Sequence, residues 1–409
     1  MDASSPITID ESSARYEGWR IVAVCFLVAT FGWAFGFYGQ SVYLAELHRA
    51  HGWPASLISG ATTFFYLFGA LVVVFVSEAV KKFGPRGCLI AGTCATAIAA
   101  IALGQVREPW QLYIVAAMLA FGWAGMSLGM ITNTLGLWFN KKRGMAISLA
   151  LNGASFGGIA GVPLLVIAIA HFGFSTAMIV AAGIMLVLVV PTVLIFVGKP
   201  PLLLHGAVTS TADAVSSTQI RSRALRDIAF LSVTTAFALV LFAQVGFIVH
   251  LIAFLDPIIG RAHAATAVAL LTAMAMAGRL LFSTVIDRLN QRLASALSFM
   301  SQAAALLVLI NFRNEAALIA ACGVFGFSVG NLITLPSLIV QREFDPHSFG
   351  VLVSLQTAIA QVTYAFGPGV VGVLRDLSGS YTLPFYGCIA LELTAAVLIM
   401  IRGRRAKAA

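Results

Sequence analysis

Between Trp19 and Met400 the chain returns a dozen times to apolar stretches of about twenty residues, separated by short breaks of charge, Pro or Gly. About 20 apolar residues in helix cross the hydrocarbon of a bilayer, so this pattern makes the membrane the solvent. Only 10 % of residues are charged and 60 % are hydrophobic, whereas a soluble domain carries about 25 % charge. That balance excludes a soluble enzyme, a nucleic-acid-binding domain and a disordered chain. The five cysteines (Cys25, Cys88, Cys94, Cys322, Cys388) all fall in apolar stretches without C-x-x-C spacing, and read as reduced packing residues.

The apolar runs predict twelve helices, near 20–42, 57–79, 88–106, 110–138, 145–170, 174–197, 228–254, 264–286, 293–311, 316–340, 349–374 and 381–401. With the N-terminus inside, cytoplasmic loops and tails hold 19 of the 25 Lys and Arg. The outer loops hold Arg49, Arg107, Arg261, Arg313 and Arg375, and Arg279 falls inside a span. This asymmetry accounts for the net charge of +9 and puts both termini in the cytoplasm. The expected location is the cytoplasmic (inner) cell membrane, as a multi-pass protein in contact with lipid. The N-terminal MDASSPITIDESSARYEGWR lacks the basic region and cleavage site of a signal peptide, so the first apolar helix is expected to stay.

The longest polar stretch, 199–227, divides the chain into halves at 1–198 and 228–409. Its TSTADAVSSTQ and RSRALRD segments suit a flexible cytoplasmic linker followed by a short surface helix against anionic lipid. The halves look like repeats. Gly144 and Gly350, Ser148 and Ser354, Ser77 and Ser283, and Gly161 and Gly367 are all 206 positions apart. An all-α membrane protein of two pseudo-symmetric six-helix halves, with a site between them, is a transporter design. Small residues at four-residue spacing (Gly32/Gly36, Gly125/Gly129, Gly153/Gly157/Gly161) suit close helix packing in lipid.

The segment GLWFNKKRGMAISLALNGASFGG, 136–158, resembles the W-F-x-x-x-R-G-x-A junction between helices four and five of many major facilitator superfamily transporters. GFIVHLIAFL, AAT and AGRLLFSTVIDRLNQR resemble helices seven and eight of the monocarboxylate-porter and oxalate–formate-antiporter branch, and YEGWRIV and ALRDIAFL fit that branch too. The resemblance implies the major facilitator fold. Its cytoplasmic loop motif, roughly G-x-x-x-D-R-x-G-R-R, survives as Asp287-Arg288 in the second half, with Arg143 in the junction segment. In the first half Lys81 and Lys82 occupy the Asp and Arg positions. The G-P-x-x-G-G pattern of drug exporters is not reproduced by GGIAGVP.

Arg279 constrains function most. An Arg at the centre of a membrane helix costs about 3 kcal/mol on insertion scales, and no carboxylate lies on the neighbouring turns. It either pairs with another helix, Glu392 being the one acid within a span of the second half, or holds an anionic substrate through bidentate hydrogen bonds. The resemblance implies the latter, because an Arg at this position anchors the substrate carboxylate in that branch. Dicarboxylate exchangers of the branch add a Lys in helix eleven, where this chain has Ile359. One fixed cation matches one carboxylate.

Asn152 is expected at the depth of Arg279, and Asn133, Asn331, Gln356, Gln361 and Tyr364 are further polar candidates for the cavity. Tyr38 and Trp33 are candidates to cap it. For proton coupling or gating the titratable candidates are His250, expected near the outer mouth, Asp256 and Glu392. No metal-ligand cluster, phosphate-cradling loop or nucleophile–base signature is present in the sequence. The expected function is proton-coupled transport of a small organic monocarboxylate, without a cofactor and as a monomer. Dicarboxylate exchange, a neutral metabolite or a non-transporting receptor are the alternatives.

Overall fold

Short capping groups set several helix starts. The computed structural model describes residues 11, 13, 16–198, 217–285, 289–332, 334–345 and 348–401, without the side chains of 217, 218 and 283–285. Among them Asp227 accepts hydrogen bonds from the Ala229 and Phe230 amides at 2.7 and 3.3 Å. Asn290 accepts from Arg292 and Leu293 at 3.2 and 3.4 Å, and Glu108 closes a capping box with Gln111. Each cap satisfies amides that a first helical turn leaves without partners.

Twelve spans follow among the described residues: α1 Gly18–His51, α2 Ala55–Val73, α3 Val76–Leu103, α4 Pro109–Gly136, α5 Arg143–Phe172, α6 Phe174–Phe196, α7 Ile228–Ile259, α8 Arg261–Val285, α9 Gln291–Asn311, α10 Glu315–Glu343, α11 Phe349–Ser378 and α12 Thr382–Leu398. Eleven are long and apolar enough to cross a membrane, and α12 is an apolar helix of 17 residues. A short helix, Ser217–Ala224, precedes α7; linker residues 199–216 lie outside the described residues.

Two departures from the sequence expectation have physical causes. Helix α1 continues to His51 rather than ending near 42, and its 34 residues span about 51 Å against roughly 30 Å of hydrocarbon. The excess carries Glu46 and Arg49 beyond the apolar run. In the second place, α2 stops at Val73 rather than near 79, and α3 starts at Val76 and runs through 80–87, where a loop was expected. Val76 and Val80 are buried one turn apart while Ser77, Glu78, Lys81 and Lys82 are exposed, so this piece is amphipathic. It ends in a kink at Gly84, whose φ of 73° an L side chain rarely adopts.

The 206-residue repeat is visible in the helix starts. Ala55 and Arg261, Pro109 and Glu315, and Arg143 and Phe349 each open corresponding helices at that separation. Packing repeats as well: α1 on α5, α2 on α4 and α3 on α6 are matched by α7 on α11, α8 on α10 and α9 on α12. Glycines make these approaches possible. A Cβ at Gly153 would stand 2.0 Å from the Phe26 carbonyl oxygen, and one at Gly330 would stand 1.9 Å from that of Ala275. The result is an all-α membrane fold of two pseudo-symmetric six-helix halves, with the first helix starting and the last helix ending on the same, cytoplasmic side.

Between the halves, α2 packs on α11, α1 on α7 and α5 on α8. Every hydrogen bond and ion pair joining the halves among the described residues lies toward the outer ends. Arg49 pairs with Asp256, and Arg261 with Glu46 at 2.9 Å. Asp376 accepts from the Ala55 and Ser56 amides at 3.3 and 2.7 Å, a cap for α2 supplied by the opposite half. Thr63 accepts from the Gly369 amide at 3.1 Å. The outer side is therefore latched.

At the cytoplasmic face the segment before α1 clips onto the α4–α5 turn. Glu11 accepts from the amides of Asn140, Lys141 and Lys142 at 2.8, 3.2 and 2.7 Å, and the Tyr16 hydroxyl donates to the Trp138 carbonyl. Burial pushes the Glu11 carboxyl up, but the three amides and the Lys141 charge outweigh it and hold it below the ordinary carboxylate range.

Candidate functional site

Arg279 lies six residues from the cytoplasmic end of α8 and is half-buried. Gly278 beside it packs against the Phe327 carbonyl, and the Arg279 Nε donates to the Gly330 carbonyl at 3.4 Å. α10 thus supports one side of the residue. Seven residues of helix return to nearly the same face, so Arg279 shares the face of Thr272. Gly158 of α5 meets that face: a Cβ there would come within 2.4 Å of the Thr272 side chain and 2.9 Å of the Tyr38 ring. Arg279 therefore occupies the face of α8 turned to the opposite half, the face against which Gly158 and Tyr38 pack. Among the described residues no ion pair involves Arg279. Glu392 is fully buried and neither carboxyl oxygen has a hydrogen-bond partner, so the two are not paired with each other.

Around this centre the other candidates divide. α5 and α8 run antiparallel and meet at Gly158 and Thr272, which brings Asn152 level with Gly278 and Arg279, a third of a turn off the contact face. Asn152 is half-exposed. Asn331 follows the Gly330 that receives Arg279; its amide nitrogen bonds the Phe327 carbonyl at 3.4 Å and its oxygen is buried without a partner. Gln356 is buried with both amide atoms unpartnered, while Gln361 is half-exposed on the same helix. Tyr38 joins the site from α1. Asn133 is not brought to it: its amide bonds Gly129 at 2.8 Å and Ser77 of α3 at 3.4 Å, near the cytoplasmic end of α4. Trp33 stacks edge-on against Trp123 at 4.8 Å as a packing residue.

The titratable candidates occupy three separate places. His250 is fully buried in the second half, beside Tyr381 at the outer start of α12. Its Nε2 donates to the Pro368 carbonyl at 3.0 Å, since a carbonyl only accepts, leaving Nδ1 to accept from the Tyr381 hydroxyl at 3.1 Å. Asp256 belongs to the outer latch through Arg49. Glu392 sits on α12, one turn below Cys388, whose thiol touches the Ala243 carbonyl of α7. On the cytoplasmic motif, Lys82 lies over the Phe83 ring at 5.3 Å, and Arg143 donates to the Thr132 carbonyl at 3.4 Å. Asp287 and Arg288 lie outside the described residues.

Sequence reasoning missed one feature. Arg292 reads as another cytoplasmic cation, yet it is 1 % exposed. It makes two hydrogen bonds to Glu343 at 2.8 and 2.7 Å and also donates to Ser232 and the carbonyls of Ala229, Ile399 and Ile401. This guanidinium ties the cytoplasmic ends of α7, α9, α10 and α12. Its sequence signal was a basic residue two positions after an N-cap, which surface arginines share.

The chain resembles known transporters along most of its length. The family described as Major Facilitator Superfamily matches residues 23–368. The MFS-type transporter pynF of Aspergillus niger is 27 % identical over 389 residues, covering 91 % of this chain and 84 % of that one. Monocarboxylate transporter 13 of Bos taurus is 25 % identical over 381 residues, covering 90 % and 85 %. Among solved structures, a variant of the nucleoside transporter NupG superposes with a TM-score of 0.77 at 11 % identity, covering 93 % of this chain and 99 % of the other. Fold, family and relatives agree: this multi-pass membrane protein belongs to the Major Facilitator Superfamily and is a transporter, not an enzyme.

Proposed function

We propose that the protein carries a small organic monocarboxylate across the cytoplasmic (inner) cell membrane together with a proton, as a monomer surrounded by lipid. The observation that carries this reading is Arg279: a half-buried cation on the face of α8 turned to the opposite half, held by a backbone carbonyl and paired with no acid among the described residues. A carboxylate would receive two parallel N–H bonds from such a fork. A single cation favours a monocarboxylate over the dicarboxylate of an exchanger, since Ile359 supplies no second charge. Similarity to a monocarboxylate transporter supports the same class. A proton balances the anion's charge. Glu392, buried with two unpartnered oxygens, is the favoured carrier over His250, whose ring nitrogens are both engaged.

In proteoliposomes, an inward proton gradient is expected to drive accumulation of short and aromatic monocarboxylates and not of dicarboxylates. Glu392→Gln is expected to keep substrate exchange but lose the acceleration by external acid. Equal transport of mono- and dicarboxylates, or uptake indifferent to the proton gradient, would overturn the assignment.

Alternating access requires the outer latch to open. The Arg261 and Glu46 side chains are 18 % and 9 % exposed, so their attraction is less screened than that of a surface pair. Arg261→Glu is expected to shift the population toward the outward-open form by roughly tenfold, about 1.4 kcal/mol. The double exchange Glu46→Arg with Arg261→Glu should recover most of the shift. Electron-spin distances between labels on the α1–α2 and α11–α12 turns would report it; unchanged distances in the single variant would remove the pair from the latch.

A further inference from the structure

The chain has eight tyrosines, and what their hydroxyls do separates them. Tyr16 bonds the Trp138 carbonyl, Tyr43 the Phe35 carbonyl and Tyr381 the His250 ring. Tyr113 and Tyr386 are exposed. Tyr38, Tyr66 and Tyr364 make no hydrogen bond with a described residue, although Tyr38 and Tyr66 are only 7 % and 4 % exposed. The Tyr66 hydroxyl is wholly buried without a partner. Buried tyrosine hydroxyls usually find partners inside the protein, so the idle Tyr66 hydroxyl, with two further unbonded phenols near it, calls for a reason.

They are in one place. Tyr66 of α2 meets Tyr364 of α11 edge-on, with ring centroids 5.6 Å apart, and Phe37 of α1 lies 6.4 Å from Tyr66 and 5.0 Å from Tyr38. The row crosses the contact between halves, drawing one phenol from each of three helices. Tyr38 contacts Gly158 at the level of Thr272, about 10 Å along α8 from Arg279 before side-chain reach is subtracted.

Accepting the carboxylate-anchor reading of Arg279, on which this step rests, we infer that the substrate is an aromatic monocarboxylate carrying a ring hydroxyl. The carboxylate takes the guanidinium. A two- or three-carbon acid held there leaves the phenol row unused, whereas one benzene ring reaches it. Phe37, Tyr38 and Tyr364 present ring edges and faces at angles that a flat ring can join, the arrangement aromatic groups prefer. The ring hydroxyl then supplies the partner that Tyr66 lacks.

Isothermal titration of the purified full-length protein with 4-hydroxybenzoate, benzoate, cyclohexanecarboxylate and lactate tests this. Binding should weaken in that order, with about a tenfold step between 4-hydroxybenzoate and benzoate, the worth of one hydrogen bond. Tyr66→Phe keeps the ring and is expected to erase that step, so that 4-hydroxybenzoate and benzoate bind alike. Lactate binding as tightly as benzoate, or a hydroxyl preference that survives Tyr66→Phe, Tyr38→Phe and Tyr364→Phe alike, overturns the aromatic inference and leaves the anchor intact. Failure of all four acids to bind, or binding unaffected by Arg279→Gln, overturns the anchor and this inference with it.

Discussion

Arg279→Gln is expected to lower uptake of every accepted carboxylate by about 100-fold or more, with the protein still reaching the membrane in normal amount. Two charge-assisted hydrogen bonds in a shielded cavity are worth about 1.5–3 kcal/mol each, and 2.7 kcal/mol is already a factor of about 100. Glutamine retains an amide that can bond the Gly330 carbonyl, which Arg279 now reaches at 3.4 Å, so the α8–α10 contact should persist. Insertion should if anything improve, because a centrally placed Arg costs about 3 kcal/mol on insertion scales. Arg279→Lys keeps the charge but loses the planar fork, and should fall between the two, roughly tenfold down. The measurement is initial uptake rate normalised to surface-labelled protein. If Arg279→Gln transports all acids at the wild-type rate, the guanidinium is structural and the substrate class must be sought elsewhere.

How much of this was legible in the sequence follows from the range of the forces involved. Spans and orientation depend on local composition and on the sign of loop charges, and the helix starts at Ala55, Pro109, Arg143 and their partners 206 positions on emerge where the apolar runs begin. Arg279 announced itself because a cation inside an apolar run has no local explanation. What depends on contacts between distant segments did not show. His250 reads as lying near the outer mouth when depth is counted along α7, but its burial depends on bonds to the Pro368 carbonyl and the Tyr381 hydroxyl, both far off in sequence. Asn133 and Asn152 are the same residue type in the same kind of run. Azimuth and helix partner, not composition, send one to Ser77 and leave the other level with Arg279. The idle phenols are the extreme case, since an unmade hydrogen bond has no sequence signature.

Arg292→Met is expected to destabilise the protein by about 3–5 kcal/mol, the range for breaking a buried ion pair from one side. The guanidinium reaches Glu343 twice and also holds the Ile399 and Ile401 carbonyls, where α12 ends and its last carbonyls have no helical partners. A cation there also complements the negative end of the helix. Methionine fills much of the volume but offers no donor, so these carbonyls, the Ala229 carbonyl and the Glu343 carboxylate lose their shared partner at once. The Glu343 side chain is 26 % exposed and can turn toward water, which limits the loss on its side. The reverse change, Glu343→Gln, leaves Arg292 charged and 1 % exposed, but with four neutral acceptors still in place, so about 1–3 kcal/mol is expected. The double variant should cost less than the two single changes together, since each removes the same pair. Unfolding midpoints in detergent for the four proteins close this cycle. Strict additivity would mean that Arg292 acts through the carbonyls of α7 and α12 alone, and that its pairing with α10 contributes nothing to holding the cytoplasmic ends of the second half together.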